Sequence, residues 1–252
     1  MRRLSRLPAA LPLCALLACA QPDATDIDAA DRDACADILI GEYAINQGAV
    51  RTVDESVASI AIVADTSGSM SGRKNAQLRE ALGMMVDHLD TYRAQGRAIE
   101  AGLYGFTASG AAARTLVPFG AFSADRFRDE IGSLPADGGT PLGRAIAYAE
   151  RELDEHATGR RSLLLLTDGR NERGRNPVDV FGCVVEANRE RADALTQLYV
   201  IAFETDVDYF SGLMDHGAYV RDASGALELQ ETLLGNIRMI LEAPYGASSR
   251  NR

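Results

Sequence analysis

The 252-residue chain has no apolar run long enough, and unbroken enough, to cross a bilayer as a stable helix. It has no internal repeat, and it lacks the bias of a fibrous or disordered protein. With 46% of residues hydrophobic and 25% charged, its composition is that of an ordinary soluble globular protein. It also lacks a basic excess: the formal net charge is −10, which sets it against nucleic acid as a partner. The length suits one full-sized domain with appendages.

Histidine is scarce. His88, His156 and His216 fall on different expected helices or turns, so no Ser/His/Asp nucleophilic set is visible and surface positions are expected. A phosphate-binding loop is missing as well. In GSMSGRKN only three residues separate Gly68 from Gly72, an arginine stands before the lysine, and Asn75 takes the place of the required hydroxyl.

Cysteine is scarce too, and two of the four lie in the opening segment MRRLSRLPAALPLCALLACAQ. Three arginines followed by a short, proline-broken apolar run read as an export signal. LLAC (Leu16 to Cys19) resembles a bacterial lipobox, which ends the signal at residues 1–18. Cys19 then becomes the acylated first residue of a lipoprotein anchored in the bacterial cell envelope. Ala18-Cys19-Ala20 also fits ordinary cleavage, which would give a soluble secreted or periplasmic protein. Loss of Arg2, Arg3 and Arg6 with the signal takes the net charge from −10 to −13. Residues 19–50 then form an acidic, solvated tether and lead-in. Cys35 and Cys183 remain. In an oxidising envelope they would close a long loop, worth roughly 4 kcal/mol. The alternative is two unpaired, partly buried thiols, because spacing does not show proximity.

What is present is a regular alternation of strand-like and helix-like segments. VASIAIVA (Val57 to Ala64) is continuously apolar, as expected of a strand covered on both faces. Leu78, Leu82, Met85, Leu89 and Tyr92 then recur at helical spacing. GRAIEAGLYGF is strand-like, and RTLVPFG is a shorter strand that its proline places near a sheet edge. Helices follow around Phe122 to Leu134 and over Leu142, Ala145, Ile146, Ala149 and Leu153. SLLLL (Ser162 to Leu166) is a second buried strand, followed by a helix from about Val178 to Leu195 and the strand LYVIAF. A helical turn at Asp208 to Met214, a brief strand AYV and a last helix with Leu233, Leu234, Ile237 and Leu241 complete the series. This order predicts an α/β fold, doubly wound, with a mostly parallel central sheet of about six strands and helices on both faces. The folded domain is expected over residues 51–245, with a tail at 246–252. In such sheets ligands gather beyond the carboxyl ends of the strands.

Three loops supply polar residues at that edge. Asp65, Ser67 and Ser69 follow the first strand, Thr140 precedes a helix in DGGTPLG, and Asp168 follows SLLLL in TDG. All five offer oxygen, which suits a hard cation such as magnesium. A loop that turns every second side chain inward would make Asp65, Ser67 and Ser69 converge, with Gly68 permitting a tight path. Each residue also has an ordinary explanation. Thr140-Pro141 is a good helix start, Ser69 or Ser71 could cap a helix, and Asp168-Gly169 is a common turn.

Taken together, Asp65-Thr66-Ser67-Gly68-Ser69, Thr140 and Thr167-Asp168-Gly169 resemble the metal-ion-dependent adhesion site of von Willebrand factor type A domains. The resemblance runs from about Val57 to Leu241 through the whole order of strands and helices. It implies that Ser67 and Ser69 coordinate the ion directly, that Thr140 does so in a ligand-bound form, and that Asp65 and Asp168 act largely through water. Asn171 and Glu172 lie near the rim and are not required by the motif. Magnesium is the implied ion, with manganese or calcium able to replace it. The implied function is a protein-binding module for adhesion or assembly, not an enzyme, in which the ion captures an acidic side chain of a partner protein. Contact with the membrane is expected through the lipid anchor alone. Two other readings are a metal-dependent phosphoryl-transfer or hydrolase enzyme using Asp65, and a scaffold without metal.

Overall fold

The computed structural model of the chain describes Cys35, Ile38 and residues 52–106, 113–189 and 195–242. The expected signal peptide, the acylated Cys19, the rest of the tether and the 246–252 tail lie outside the described residues.

Six strands form one sheet: β1 (Asp54–Ala64), β2 (Ala98–Gly105), β3 (Arg114–Ala121), β4 (Gly159–Thr167), β5 (Gln197–Phe203) and β6 (Tyr219–Ala223). Their order is β3-β2-β1-β4-β5-β6, and every pairing is parallel except β2 with β3. The α-helices that join and follow them are α1 (Arg73–Ala94), α2 (Ala124–Gly132), α3 (Leu142–His156), α4 (Pro177–Arg189), the short α5 (Ser211–Asp215) and α6 (Ala226–Glu242). The doubly wound α/β architecture expected from the alternation is the one observed.

The strand period of two explains how one sheet feeds two cores. Ile60, Ile62 and Ala64 face a layer built on Leu78, Leu82, Met85 and Leu89 of α1 and Leu233 and Ile237 of α6. Ala61 and Val63 face the opposite layer, with Leu142, Ile146 and Leu153 of α3 and Val180 and Val184 of α4. Each fully buried Leu, Ile or Val contributes about 1.5–3 kcal/mol. A central strand apolar on both faces is therefore the most heavily stabilised element.

Boundaries differ in ways that hydrogen bonding explains. RTLVPFG is an edge strand, as its proline predicts, and there it pairs antiparallel. Leu103 faces Val117 and Ala101 faces Gly120, so Pro118 and Phe119 together oppose Gly102 in a bulge. The helix expected from Phe122 starts at Ala124, because the Phe122 amide still donates to Ile99 O at 2.9 Å and holds that residue to the sheet. The helix expected to reach Leu195 is described as far as Arg189.

Cys35 and Cys183 are joined in a disulfide, with Cα atoms 5.2 Å apart and 148 residues between them in sequence. The bridge ties the segment ahead of β1 to α4, and Ile38 is buried in the same layer. No helix among the described residues is long and apolar enough to cross a membrane.

The sheet order reverses around β1 and β4: β2 follows β1 on one side, and β4 lies on the other. Beyond the carboxyl ends of these two strands the connections part and leave a crevice. Asp65 continues β1 into that crevice, where its amide donates to Leu166 O at 2.8 Å.

Candidate functional site

The first loop leaves β1 as Asp65-Thr66-Ser67 and turns through a short 3₁₀ segment, Gly68–Met70. Asp65 is fully buried, and both of its carboxylate oxygens accept hydrogen bonds. Oδ1 receives the Ser67 amide at 2.8 Å and Oδ2 receives the Thr167 hydroxyl at 2.6 Å. Burial pushes the Asp65 pKa up to about 6, against the pull of the Ser67 and Thr167 hydrogen bonds. Thr66 anchors the loop from the other side by donating to Phe106 O at 2.8 Å.

The serine hydroxyls do not cap helices. Ser67 Oγ and Ser69 Oγ lie 2.9 Å apart, and Ser69 Oγ donates to Asp168 Oδ1 at 2.7 Å. Gly72 occupies the N-cap of α1, without a side-chain bond. At the start of α3 the N-cap is Pro141, and the Gly143 amide is met by Asn171 Oδ1 at 3.4 Å. The ordinary explanation offered by sequence, that these hydroxyls serve as caps, is thus overturned for Ser69 and Ser71. The left-handed backbone falls at Gly72 (φ 70°), where the chain enters α1, and not at Gly68.

The second loop reaches the first through main-chain bonds. Gly68 N donates to Gly138 O at 3.0 Å, and Asp137 N to Thr66 O at 2.9 Å. Thr140 is buried and accepts the Glu172 amide at its carbonyl, 2.9 Å away. Its hydroxyl stands 3.4 Å from the point where a Cβ on Gly169 would lie, so it is packed over the TDG loop. Asn171 is engaged in loop structure: its side chain donates to Arg175 O at 3.2 Å, and its amide donates to the Tyr209 hydroxyl at 3.0 Å.

All five residues singled out by sequence therefore reach the same edge. Ser67, Ser69 and Asp168 form one hydrogen-bonded chain. Asp65 joins it through Ser67 and through Thr167, and Thr140 packs beside Gly169. Ser67, Asp65, Thr140 and Asp168 are buried, whereas Ser69 is exposed, so the group opens to solvent at one point. Two carboxylates and three hydroxyls, with no nitrogen or sulfur donor among them, are a donor set fit for a hard divalent ion.

Sequence reasoning gave no role to Thr167, which it quoted only as part of the motif, and missed Lys74. Thr167 orients Asp65, and its Oγ1 also accepts the Gly169 amide at 3.2 Å. Lys74 places Nζ 2.5 Å from Asp168 Oδ2, and the Asp168 side chain has no exposed surface. The available signal was its position in the first turn of a helix, where side chains lean back toward the N-terminus and so toward the serines.

The comparisons with known proteins agree with this fold. Residues 59–215 match the family model of the von Willebrand factor type A domain. The human inter-alpha-trypsin inhibitor heavy chain H4 is 32% identical over 189 residues, which are 69% of this chain and 19% of that protein. The chain therefore spans about a fifth of that relative's length. Among solved structures, the pilus adhesin SpaC of Lactobacillus rhamnosus GG superposes with a TM-score of 0.57 at 16% identity, covering 77% of this chain and 31% of the adhesin. Proximal thread matrix protein 1 of the mussel byssus, in a form with a zinc-occupied metal-ion-dependent adhesion site, gives a TM-score of 0.57 at 16% identity and covers 77% and 50%. At these identities the solved structures speak for the fold alone. The match over residues 59–215 runs from within β1 through α5 and includes every one of the five oxygen residues, and on that ground the chain belongs to the von Willebrand factor type A domain family.

Proposed function

We propose that the protein is a metal-dependent protein-binding module of the cell envelope, acting in adhesion or assembly. In this reading Ser67, Ser69, Thr140, Asp65 and Asp168 hold a divalent ion, magnesium in the first instance, and the ion captures a carboxylate of a partner protein. The observation that carries the reading is the direction of the serine hydroxyls. They are turned toward each other and toward Asp168, and neither caps the helix that follows. The exposed Ser69 gives a partner's side chain a way in.

The ion supplies a concentrated positive charge that its hydroxyl ligands leave largely unneutralised, and a carboxylate brought to it is held by a charge-assisted contact. Asp65 is suited to orienting and not to attack. It is fully buried, and the Ser67 amide and the Thr167 hydroxyl occupy its two oxygens, which counts against its use as a phosphoryl-accepting nucleophile. Adhesive and matrix relatives share the fold. Export with acylation at Cys19 belongs to the same proposal and rests on the LLAC motif.

Calorimetric titration of the full chain with magnesium or manganese tests the site. Binding is expected in the wild type and its loss in the Ser67→Ala, Ser69→Ala double variant; equal binding in both would remove the metal from the proposal. Affinity capture from envelope extract, with and without chelator, tests the partner. A partner retained equally under both conditions would place recognition on another face.

A further inference from the structure

The carboxylate that closes the oxygen cluster is shared. Asp168 Oδ1 accepts from Ser69, while Oδ2 is met by the Lys74 ammonium at 2.5 Å. The Asp168 side chain is fully covered and that of Lys74 retains 23% of its surface, so this pair is shielded from solvent far better than an exposed ion pair. The neighbouring Arg73 turns the other way, onto both oxygens of Glu204 at 2.9 and 3.0 Å. Lys74 alone in this turn of α1 brings its charge to the cluster.

From this contact we infer that Lys74 is a built-in competitor of the metal ion, a tethered cation that claims Asp168 and sets the ion concentration at which the site fills. The inference rests on the metal-binding proposal above and adds a residue that the motif does not contain. Its physics is Coulombic. A divalent ion drawing on Ser67, Ser69 and Asp168 meets a monovalent cation already on the second oxygen of the same carboxylate. Like charges at such separations repel strongly in a poorly solvated site. Binding must displace the ammonium or tolerate it, and either weakens affinity. The same lysine also makes the ion-free site stable, because it offsets the charge of a covered carboxylate that has no other cationic partner among the described residues.

Opposite signs in two measurements separate this role from a merely structural one. In Lys74→Met the manganese affinity of the full chain, measured by calorimetry, is expected to rise tenfold or more. The melting temperature in chelator should fall, and the increase in melting temperature on adding manganese should exceed that of the wild type. Lys74→Arg, which keeps the charge, should stay within about threefold of wild-type affinity, and Lys74→Gln serves as a second neutral variant if Lys74→Met does not fold. Wild-type binding with unchanged or weaker affinity in the neutral variants would overturn the competitor role and leave the metal site standing. Absence of manganese binding in wild type and variants alike would overturn the metal site itself.

Discussion

Two polar clusters are buried at opposite edges of the same sheet, and they are built on different principles. At the amino ends of β4 and β5, Arg161 donates to Asp154 at 3.0 Å, and Glu150 Oε1 receives Asn188 at 2.7 Å and Thr196 at 2.8 Å. That cluster contains its own cation and donors, although Glu150 Oε2 and Asn188 Oδ1 meet no hydrogen-bond partner among the described residues. At the carboxyl ends of β1 and β4, Asp65 and Asp168 are gathered with three hydroxyls, and Lys74 brings an ammonium from near the solvent boundary. The first cluster is closed, with Arg161 and Asp154 almost wholly covered. The second opens to solvent at Ser69 and gathers two carboxylates about a single lysine ammonium among the described residues. A closed set of buried charges costs desolvation and returns structure, whereas an open set of acceptors is organised for something that arrives.

Breaking the closed cluster should have the largest effect. Arg161→Met takes away the guanidinium that donates to the covered Asp154, and removal of one partner of a buried pair costs about 3–5 kcal/mol. Urea denaturation of the full chain with its disulfide intact is expected to show a loss of this size. Manganese affinity should be unchanged, because effects at well-separated sites add independently. A loss below about 1 kcal/mol would mean that the amino-edge cluster contributes little, and the contrast drawn here would fail.

The open cluster should respond in the reverse way. In chelator, Ser67→Ala with Ser69→Ala removes hydrogen bonds worth about 1 kcal/mol each, and a modest destabilisation is expected. The larger effect appears on adding ion. At an ion concentration 100 times Kd the wild type should gain about 2.7 kcal/mol, and the double variant should gain none. If ion raised the stability of both proteins equally, the site of binding would lie elsewhere.

The contrast between the edges also explains what could be read in advance. β1 and β4 were legible because residues such as Ile60, Val63 and Leu164 are apolar on both faces of the sheet, a pattern with few other uses. The five oxygen residues were legible because they lie directly at strand ends or, for Thr140, in a short glycine-rich loop. Lys74 was not. Helical periodicity marks α1 from Leu78 onward, but the helix begins at Arg73, and its polar first turn gives no periodic signal. The closed cluster was hidden for a related reason. Glu150 and Asp154 sit in AERELDEH, which reads as a solvated helix face, and their partners Asn188, Thr196 and Arg161 come from other elements. The disulfide stood between: elimination left Cys35 and Cys183 as the two candidates, but only the fold brings their Cα atoms to 5.2 Å.

The smallest expected effect tests whether the closed cluster offsets the burial of its own carboxyl. Burial raises the Glu150 pKa above the ordinary carboxylate range, against the hydrogen bond from Asn188, the charge of Arg161 and the hydrogen bond from Thr196. A carboxyl whose pKa is raised on folding contributes its stability fully below the unfolded pKa, and that contribution is lost as pH rises through the folded value. Glu150→Gln cannot ionise and so escapes this loss. Relative to wild type, the variant should therefore be more favourable at pH 8 than at pH 4, read as the difference between their urea midpoints at each pH in the presence of chelator. The difference should be the same whether or not Lys74 is replaced, because the two clusters share no partner. If the pH dependence vanished, Asn188, Thr196 and Arg161 would together offset the burial of Glu150 completely, and the amino edge would be closed electrostatically as well as sterically. If it reversed, the ionised carboxylate would be the better-held form, and Glu150 would belong with the paired charges of Arg161 and Asp154.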